Sequence, residues 1–192
     1  MKKLLLISLL FIAGLTNSFA QEGEKKSTPV RFLIRGGLEL GGDEVAEVYF
    51  TNGNTQSVKA GQGGTIAIGG QFQFSGLDKL LLRATAGFKY VTTAADNAHI
   101  RLTRIPINLT ANWMVAKKLM IGGGLAMHRN IKFSADDIGP DIKFDGASGP
   151  MFEIAYSGIG LTYTAMTYKD DRNNKYAANA VGLFFTIALP NK

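Results

Sequence analysis

The feature that most constrains this chain is an alternation of apolar and polar residues with a period of two, which recurs along most of the sequence from residue 30 onward. In the segment RFLIRGGLELGG (31–42), the apolar side chains Phe32, Ile34, Leu38 and Leu40 fall on one side of an extended strand, and charged residues fall on the other. Successive side chains of a strand point to opposite faces of a sheet. The pattern therefore predicts strands with one apolar face and one polar or charged face.

Eight strand-like runs of this kind follow one another along the chain. They cover residues 31–42, 64–74, 80–91, 99–113, 119–130, 151–156, 159–168 and 180–189. The connections alternate between short turns (75–79, 115–118 and 157–158) and longer polar segments (43–63, 94–98, 132–149 and 169–179). Short turns at one end and long loops at the other are typical of a transmembrane β-barrel in an asymmetric membrane. The sequence predicts an all-β fold, an up-and-down antiparallel transmembrane barrel of eight strands with short periplasmic turns and longer outer loops.

The first long connection contains a candidate hairpin of its own. Its two arms, on either side of Asn52-Gly53, are about seven residues each and carry Glu44, Glu47 and Lys59. A membrane-spanning strand needs about 9–11 residues, so we expect this hairpin to stand above the membrane. A barrel of ten strands is the alternative.

One run changes parity in its middle. In HIRLTRIPINLTANW (99–113), Ile100 and Leu102 have the opposite parity to the apolar residues after Arg104. A β-bulge between Thr103 and Arg104, next to a proline that cannot donate to the ladder, would bring both apolar sets to one face.

The first 20 residues, MKKLLLISLLFIAGLTNSFA, have the layout of a secretory signal peptide. Two lysines precede an apolar run, and Ser18-Phe19-Ala20 supplies small residues at the expected cleavage site before Gln21. An uncleaved membrane helix is disfavoured because the apolar run over 4–15 is shorter than the ~20 residues of a span. We expect domains at 1–20 (signal peptide), 21–29 (polar tail), 30–189 (barrel) and 190–192 (C-terminal tail).

Composition excludes several classes of function. The chain has no cysteine, which excludes disulfides, thiolate metal sites and a cysteine nucleophile. Removing Lys2 and Lys3 with the signal peptide leaves 19 basic and 15 acidic residues, a net charge of +4. So small a surplus is weak support for a nucleic-acid partner, and we expect none.

The two faces of the predicted strands are expected to meet different surroundings. The apolar faces carry large side chains, whereas the other faces mix small residues with a few charges, as the narrow interior of an eight-stranded barrel requires. A charge on the lipid side near the midplane would cost about 2–4 kcal/mol. We therefore expect a structural charge network inside the barrel, with Arg104 as a further candidate member. The expected network comprises Arg31, Arg35, Glu39, Arg83, Lys89, Arg101 and Glu153.

Over residues 30–189 the chain resembles the small eight-stranded bacterial outer-membrane barrels of the OmpA and OmpX type. The resemblance rests on the alternating strands, on HIRLTRIPINLTANW and on the closing run VGLFFTIAL (181–189), although many members end on an aromatic residue and this chain adds Pro190-Asn191-Lys192. It implies an outer-membrane location, insertion by the barrel-assembly machinery, contact with outer-membrane lipid and lipopolysaccharide, and a monomeric state.

Candidate chemistry is sparse. A barrel-borne hydrolase would need an outward histidine beside a hydroxyl; His128, with Ser134 in the following segment, is the candidate, and His99 is expected to be a loop-edge residue. Carboxylates at 136, 137, 141 and 145 could bind a cation, but their spacing does not match the EF-hand pattern. We expect a solvated acidic loop and no catalytic, cofactor or metal site.

The leading functional hypothesis is a non-enzymatic outer-membrane barrel with a structural, envelope or surface-interaction role. One alternative is a lipid-modifying enzyme resembling a lipid A deacylase, for which His128 would have to be exposed beside a hydroxyl. The other is a soluble periplasmic barrel that binds an apolar ligand, for which Phe32, Phe72 and Phe88 would have to point inward.

Overall fold

The computed structural model of the protein describes residues 30–49, 55–95, 98–136 and 139–190. The predicted signal peptide and the polar tail lie outside these ranges. Within them, no helix is long and apolar enough to cross a membrane. The regular structure of the described chain is composed of thirteen strands. They are β1 (Val30–Leu40), β2 (Glu44–Tyr49), β3 (Thr55–Lys59), β4 (Gly63–Gln73), β5 (Leu80–Ala95), β6 (Ala98–Met114), β7 (Leu119–Ser134), β8 (Ile142–Phe144), β9 (Ala147–Tyr156), β10 (Ile159–Thr164), β11 (Thr167–Lys169), β12 (Lys175–Ala177) and β13 (Ala180–Leu189).

Eight of these strands form a closed antiparallel barrel. In spatial order they are β1, β4, β5, β6, β7, β9, β10 and β13, so that each strand pairs with its sequence neighbour in the barrel. The first and last strands close the ring through a continuous register from Phe32↔Leu189 to Leu40↔Val181. The predicted up-and-down barrel of eight strands is confirmed.

The candidate hairpin in the first long connection is a separate two-stranded sheet, formed by β2 and β3. It does not enter the barrel, so the ten-stranded alternative is wrong. Its predicted Asn52-Gly53 turn lies outside the described residues. Two further short elements, β8 and the β11–β12 hairpin, occupy the other long connections at the same end of the barrel.

The loop predicted at 94–98 is shorter than expected. Strand β5 continues to Ala95 and β6 begins at Ala98, with Ala95 paired to Ala98. Ala94, Ala95 and Ala98 are part of a ladder in which β5 and β6 extend beyond the ends of β4 and β7. The described residues of this segment therefore have backbone partners on the neighbouring strand, which their composition alone does not reveal.

The bulge lies where it was predicted but on the neighbouring strand. Between Thr103↔Lys132 and Ile105↔Arg129, β6 advances two residues while β7 advances three. The extra residue is therefore on β7, where Asn130 has a left-handed φ of 51°. Because β6 keeps its parity, its early apolar residues remain on the inner face instead of moving to the outer one.

Glycines on the inner face allow neighbouring strands of this narrow barrel to approach closely. On β4, a Cβ added to Gly69 would clash with the carbonyl oxygen of Ala84 and lie 2.7 Å from the Cα of Thr85. The adjacent Gly70 has the opposite parity, and the atom nearest to a Cβ added there would be 3.9 Å away. The two glycines therefore differ in what they contribute, although they are consecutive.

We expect Gly69→Ala to lower the free energy of unfolding by about 1–3 kcal/mol, because the added methyl group forces two backbones apart. Gly70→Ala, the matched control, should leave stability unchanged or raise it slightly, because alanine reduces the entropy of the unfolded chain. Urea unfolding of the two variants in the same detergent measures the difference. Equal stability of the two would contradict the close approach of β4 and β5.

Candidate functional site

The outer wall of the barrel is apolar on every strand. The aromatic residues whose inward orientation would indicate an internal ligand site, Phe32, Phe72 and Phe88, are instead 47%, 37% and 52% exposed on this wall. The hypothesis of a soluble barrel with an apolar cavity required the apolar faces of the strands to point inward, and they point outward. Other large exposed side chains of the wall are Leu38, Ile66, Ile68, Tyr90, Leu109, Trp113, Ile121, Leu125, Phe152, Ile154, Leu161, Tyr163, Val181, Leu183, Phe185 and Ile187.

A first group of charged side chains lies in the lumen around Glu153 of β9, whose side chain is fully buried. Arg35 donates to its Oε2 from 2.7 Å, and Nη1 of Arg83 lies 4.0 Å from Oε1. Thr110 adds a hydroxyl at 3.3 Å from Oε1. The guanidinium of Arg35 also lies 3.7 Å from the ring centre of Phe184. One carboxylate therefore holds two guanidinium groups that reach across the lumen from β1 and β5.

A second group lies nearer the outer end and ties the lumen to the first long connection. Lys89 of β5 forms an ion pair with Glu39 of β1, and its Nζ also donates to the carbonyl oxygen of Gly61 at 2.7 Å. Arg104 of β6 is fully buried and donates to the carbonyl oxygen of Gln62. Gly61 and Gln62 join β3 to β4, so two buried cations hold the base of the β2–β3 hairpin against the barrel mouth.

The structure brings five members of the expected charge network together in these two groups: Arg35, Arg83 and Glu153 in the first, and Glu39 and Lys89 in the second. Arg31 has the inward parity of Arg35 and is partly buried. It forms no ion pair with any described residue.

The expectation for Arg101 is wrong. Its side chain is exposed on the outer surface of β6, because the strand keeps its parity and the extra residue of the bulge is on β7. Arg104, three residues further on, is the β6 cation that lies inside.

The outer end of the lumen is closed by a hydrophobic cluster that sequence reasoning missed. Tyr168 of β11 is fully buried, and its hydroxyl lies 2.5 Å from Nδ1 of His128 on β7. The Tyr168 ring also packs 5.8 Å from that of Phe144. The pairing joins positions 40 residues apart, and no local pattern marks it. Further members of the cluster are Val58, Ala60, Ile100, Leu102, Ile131, Phe133, Met151, Met166 and Ala178.

The arrangement around His128 is unlike that of a hydrolase. Its side chain is 5% exposed and faces the lumen, and its hydrogen-bond partner is a phenol instead of a serine hydroxyl. His128 is therefore not the outward histidine beside a hydroxyl that a barrel-borne hydrolase would need. The side chain of His99, at the start of β6, lies outside the described part of the chain.

The predicted acidic loop is partly described. Asp141 accepts a hydrogen bond from the backbone N–H of Ala135 at 2.9 Å, and Asp137 lies outside the described residues. In the ranges that the structure covers, no three acidic or histidine side chains are grouped so that they could hold a metal ion.

The middle of the lumen is almost filled. A cavity of about 30 Å³ lies between the Arg35 and His128 levels, lined by polar groups that include Thr65, Asn108 and Thr162. The hydroxyl of Thr65 is buried without a described partner. A space of this size with polar walls suits an ordered water molecule.

The class defined by these features is a closed eight-stranded barrel with an apolar outer wall, a charged and filled lumen, and a folded outer cap. No protein-family model matches the chain, and no curated protein matches it. Among solved structures it resembles Ail, the attachment invasion locus protein of Yersinia pestis, at 8% identity and a TM-score of 0.42, over 82% of this chain and 97% of that one. It also resembles Neisserial surface protein A, at 11% identity and a TM-score of 0.43, over 82% and 96% of the two chains.

The N-terminal β-barrel domain of Pseudomonas aeruginosa OprF is a further similar structure, at 13% identity and a TM-score of 0.34, over 82% of this chain and 97% of that one. Identities and scores this low carry no inference about function.

We expect Glu153→Gln to lower the free energy of unfolding by about 3–5 kcal/mol, because it leaves the buried guanidinium of Arg35 and the partly buried one of Arg83 without their counter-ion. Glu44→Gln is the matched control. Glu44 accepts a hydrogen bond from Ser57 at 2.6 Å in the exposed hairpin, and its loss should cost less than about 1 kcal/mol. Denaturant unfolding in detergent compares the two, and equal losses would contradict the burial of the Glu153 ion pairs.

Tyr168 supplies a pH-dependent prediction. Burial, partly opposed by the positive charge of Arg104, raises the pKa of its phenol from 10.0 to about 12. The folded state therefore favours the neutral phenol, and this contribution to stability is complete below pH 10 and lost as the pH rises towards 12. Ultraviolet titration should show a tyrosinate step near pH 12 that Tyr168→Phe removes and Tyr156→Phe retains. If Tyr156→Phe removed the step instead, the step would not belong to Tyr168.

Proposed function

We propose that the protein is an integral bacterial outer-membrane β-barrel without catalytic activity, which strengthens the envelope and presents a compact folded surface at its outer end. The observation that carries the proposal is the division of side chains between the two faces of the closed sheet. Large apolar residues cover the outer wall, and the ion pairs of Arg35, Arg83 and Lys89 lie inside.

A membrane accounts for this division better than water does. A contiguous apolar surface encircling a soluble protein would promote aggregation, whereas in hydrocarbon the same surface is favourable. A closed barrel also satisfies all of its strand backbone groups internally, as the bilayer interior requires. Trp113 at one end of β6 and Tyr90 beside the other end of the same wall are suited to the two membrane interfaces.

Transport through the lumen is not part of the proposal. The two charged groups and the outer hydrophobic cluster occupy the path along the barrel axis and leave only the small central cavity between them. Eight-stranded barrels in general have interiors just wide enough to be filled by side chains. We infer a role based on the two surfaces of the barrel, with outer-membrane lipid and lipopolysaccharide as its surroundings, the barrel-assembly machinery as its route of insertion, and a monomer as its functional state.

We expect Ile68→Arg to impair insertion of the protein into membranes. Ile68 is 56% exposed on the outer wall, at a central position of β4 between Ile34 and Ala86. A charge placed there should cost about 2–4 kcal/mol. The measurement is the fraction of mature protein in washed membranes that shows heat-modifiable gel migration.

The matched control is Gln56→Arg, which adds the same charge to an exposed position of the β2–β3 hairpin and should leave insertion unchanged. Recovery of the wild-type protein from the soluble periplasmic fraction would overturn the proposed location. Steady ionic currents of the wild-type protein across a planar bilayer would overturn the closed lumen.

A further inference from the structure

A basic groove lies on the outside of the barrel, near the outer ends of β6 and β7. It has a volume of about 220 Å³ and is lined by side chains of three adjacent strands and the segment before β8. Its polar lining consists of Arg101, Thr103, Lys132, Ser134, Asp141 and Lys143. The three cations are all exposed, and none forms an ion pair with a described residue.

The strand register concentrates these charges. Lys132 of β7 is directly opposite Lys143 of β8 in the ladder. Arg101 of β6 is opposite Ser134, which places it diagonally from Lys132. Like charges directly opposite each other destabilise a sheet, and the carboxylate of Asp141 offsets only one of the three. Among the residues that line the groove, three cations therefore face one carboxylate.

The height of the groove on the barrel matches a membrane interface. Thr103, at its lower edge, is ten residues along β6 from Trp113 on the same outward face. At ~3.3 Å per residue and a strand tilt of about 40°, these positions are roughly 25 Å apart along the barrel axis, which is the height of a lipid-facing apolar band. Tyr90, paired with Thr103 on the neighbouring strand, is the aromatic residue at the same level. The groove thus begins where the hydrocarbon ends.

We propose that this groove binds the phosphate groups of a phosphorylated lipid headgroup in the outer leaflet. The proposal rests on the membrane location proposed above and assigns a particular lipid site to it. A phosphate oxygen cluster would supply the negative charge that the sheet lacks between Lys132 and Lys143, and the acyl chains of the same lipid would lie along the apolar wall directly below. The guanidinium of Arg101 suits a bidentate contact with phosphate.

The test compares wild type with a Lys132→Gln, Lys143→Gln double variant, using folded protein in neutral detergent. The titrants are diphosphorylated lipid A, dephosphorylated lipid A and inorganic phosphate, and calorimetry gives the affinities. A matched control, Lys169→Gln with Lys175→Gln, removes the same charge from the directly paired Lys169 and Lys175 of β11 and β12. At about fivefold per lysine, the groove variant should bind diphosphorylated lipid A about 25-fold more weakly than wild type, and the control variant should bind as wild type does.

The stability of the variants provides a second measurement. Without lipid, removal of the opposed lysines should raise the unfolding temperature of the groove variant above that of wild type, and diphosphorylated lipid A should reverse the order. Equal lipid affinity of the two proteins would overturn the proposal, as would binding of dephosphorylated lipid A or free phosphate with the same dependence on the two lysines. Each protein is also extracted from membranes and tested for heat-modifiable gel migration. A variant that migrates as wild type does is inserted, so a loss of lipid binding in that variant does not come from a failure of the proposed membrane location.

Discussion

Closure of the sheet between β1 and β13 is the constraint on which the rest of the structure depends. An open edge presents unpaired backbone N–H and C=O groups, each of which is costly in an apolar medium. The register from Phe32↔Leu189 to Leu40↔Val181 removes that edge. Once the ring is closed with eight strands, its radius is fixed, and the side chains on the inner face must fit the space that remains.

That narrow interior explains which residues lie inside. Inward glycines such as Gly69 and Gly87 allow backbones to approach, where any Cβ would meet the neighbouring strand. The remaining space takes a small number of long charged side chains that reach across the lumen and pair, as Arg35 does with Glu153. Burial of such pairs is not in itself stabilising. Their value is that each one links strands that are not neighbours in the ladder.

Most of the barrel could be predicted from the sequence because a strand with two different environments carries its orientation in every second residue. The eight runs, their faces and the inward positions of Arg35, Lys89 and Glu153 follow from that periodicity. The position of Arg101 could not be predicted in the same way, because the parity of β6 depends on whether an extra residue is on β6 or on its partner. The outer cap was equally inaccessible, since contacts such as His128 with Tyr168 depend on how three separate connections fold together.

The attachment of the β2–β3 hairpin has a consequence for how this surface can vary. Lys89 and Arg104 hold the hairpin through the carbonyl oxygens of Gly61 and Gln62, which are main-chain atoms. Any residue can offer a main-chain carbonyl, so the anchor does not depend on the side chains displayed beyond it. Apart from Val58 and Ala60, which pack in the hydrophobic cluster, the residues of the hairpin can therefore change while the barrel that carries it stays the same, which separates the evolution of the exposed surface from that of the scaffold.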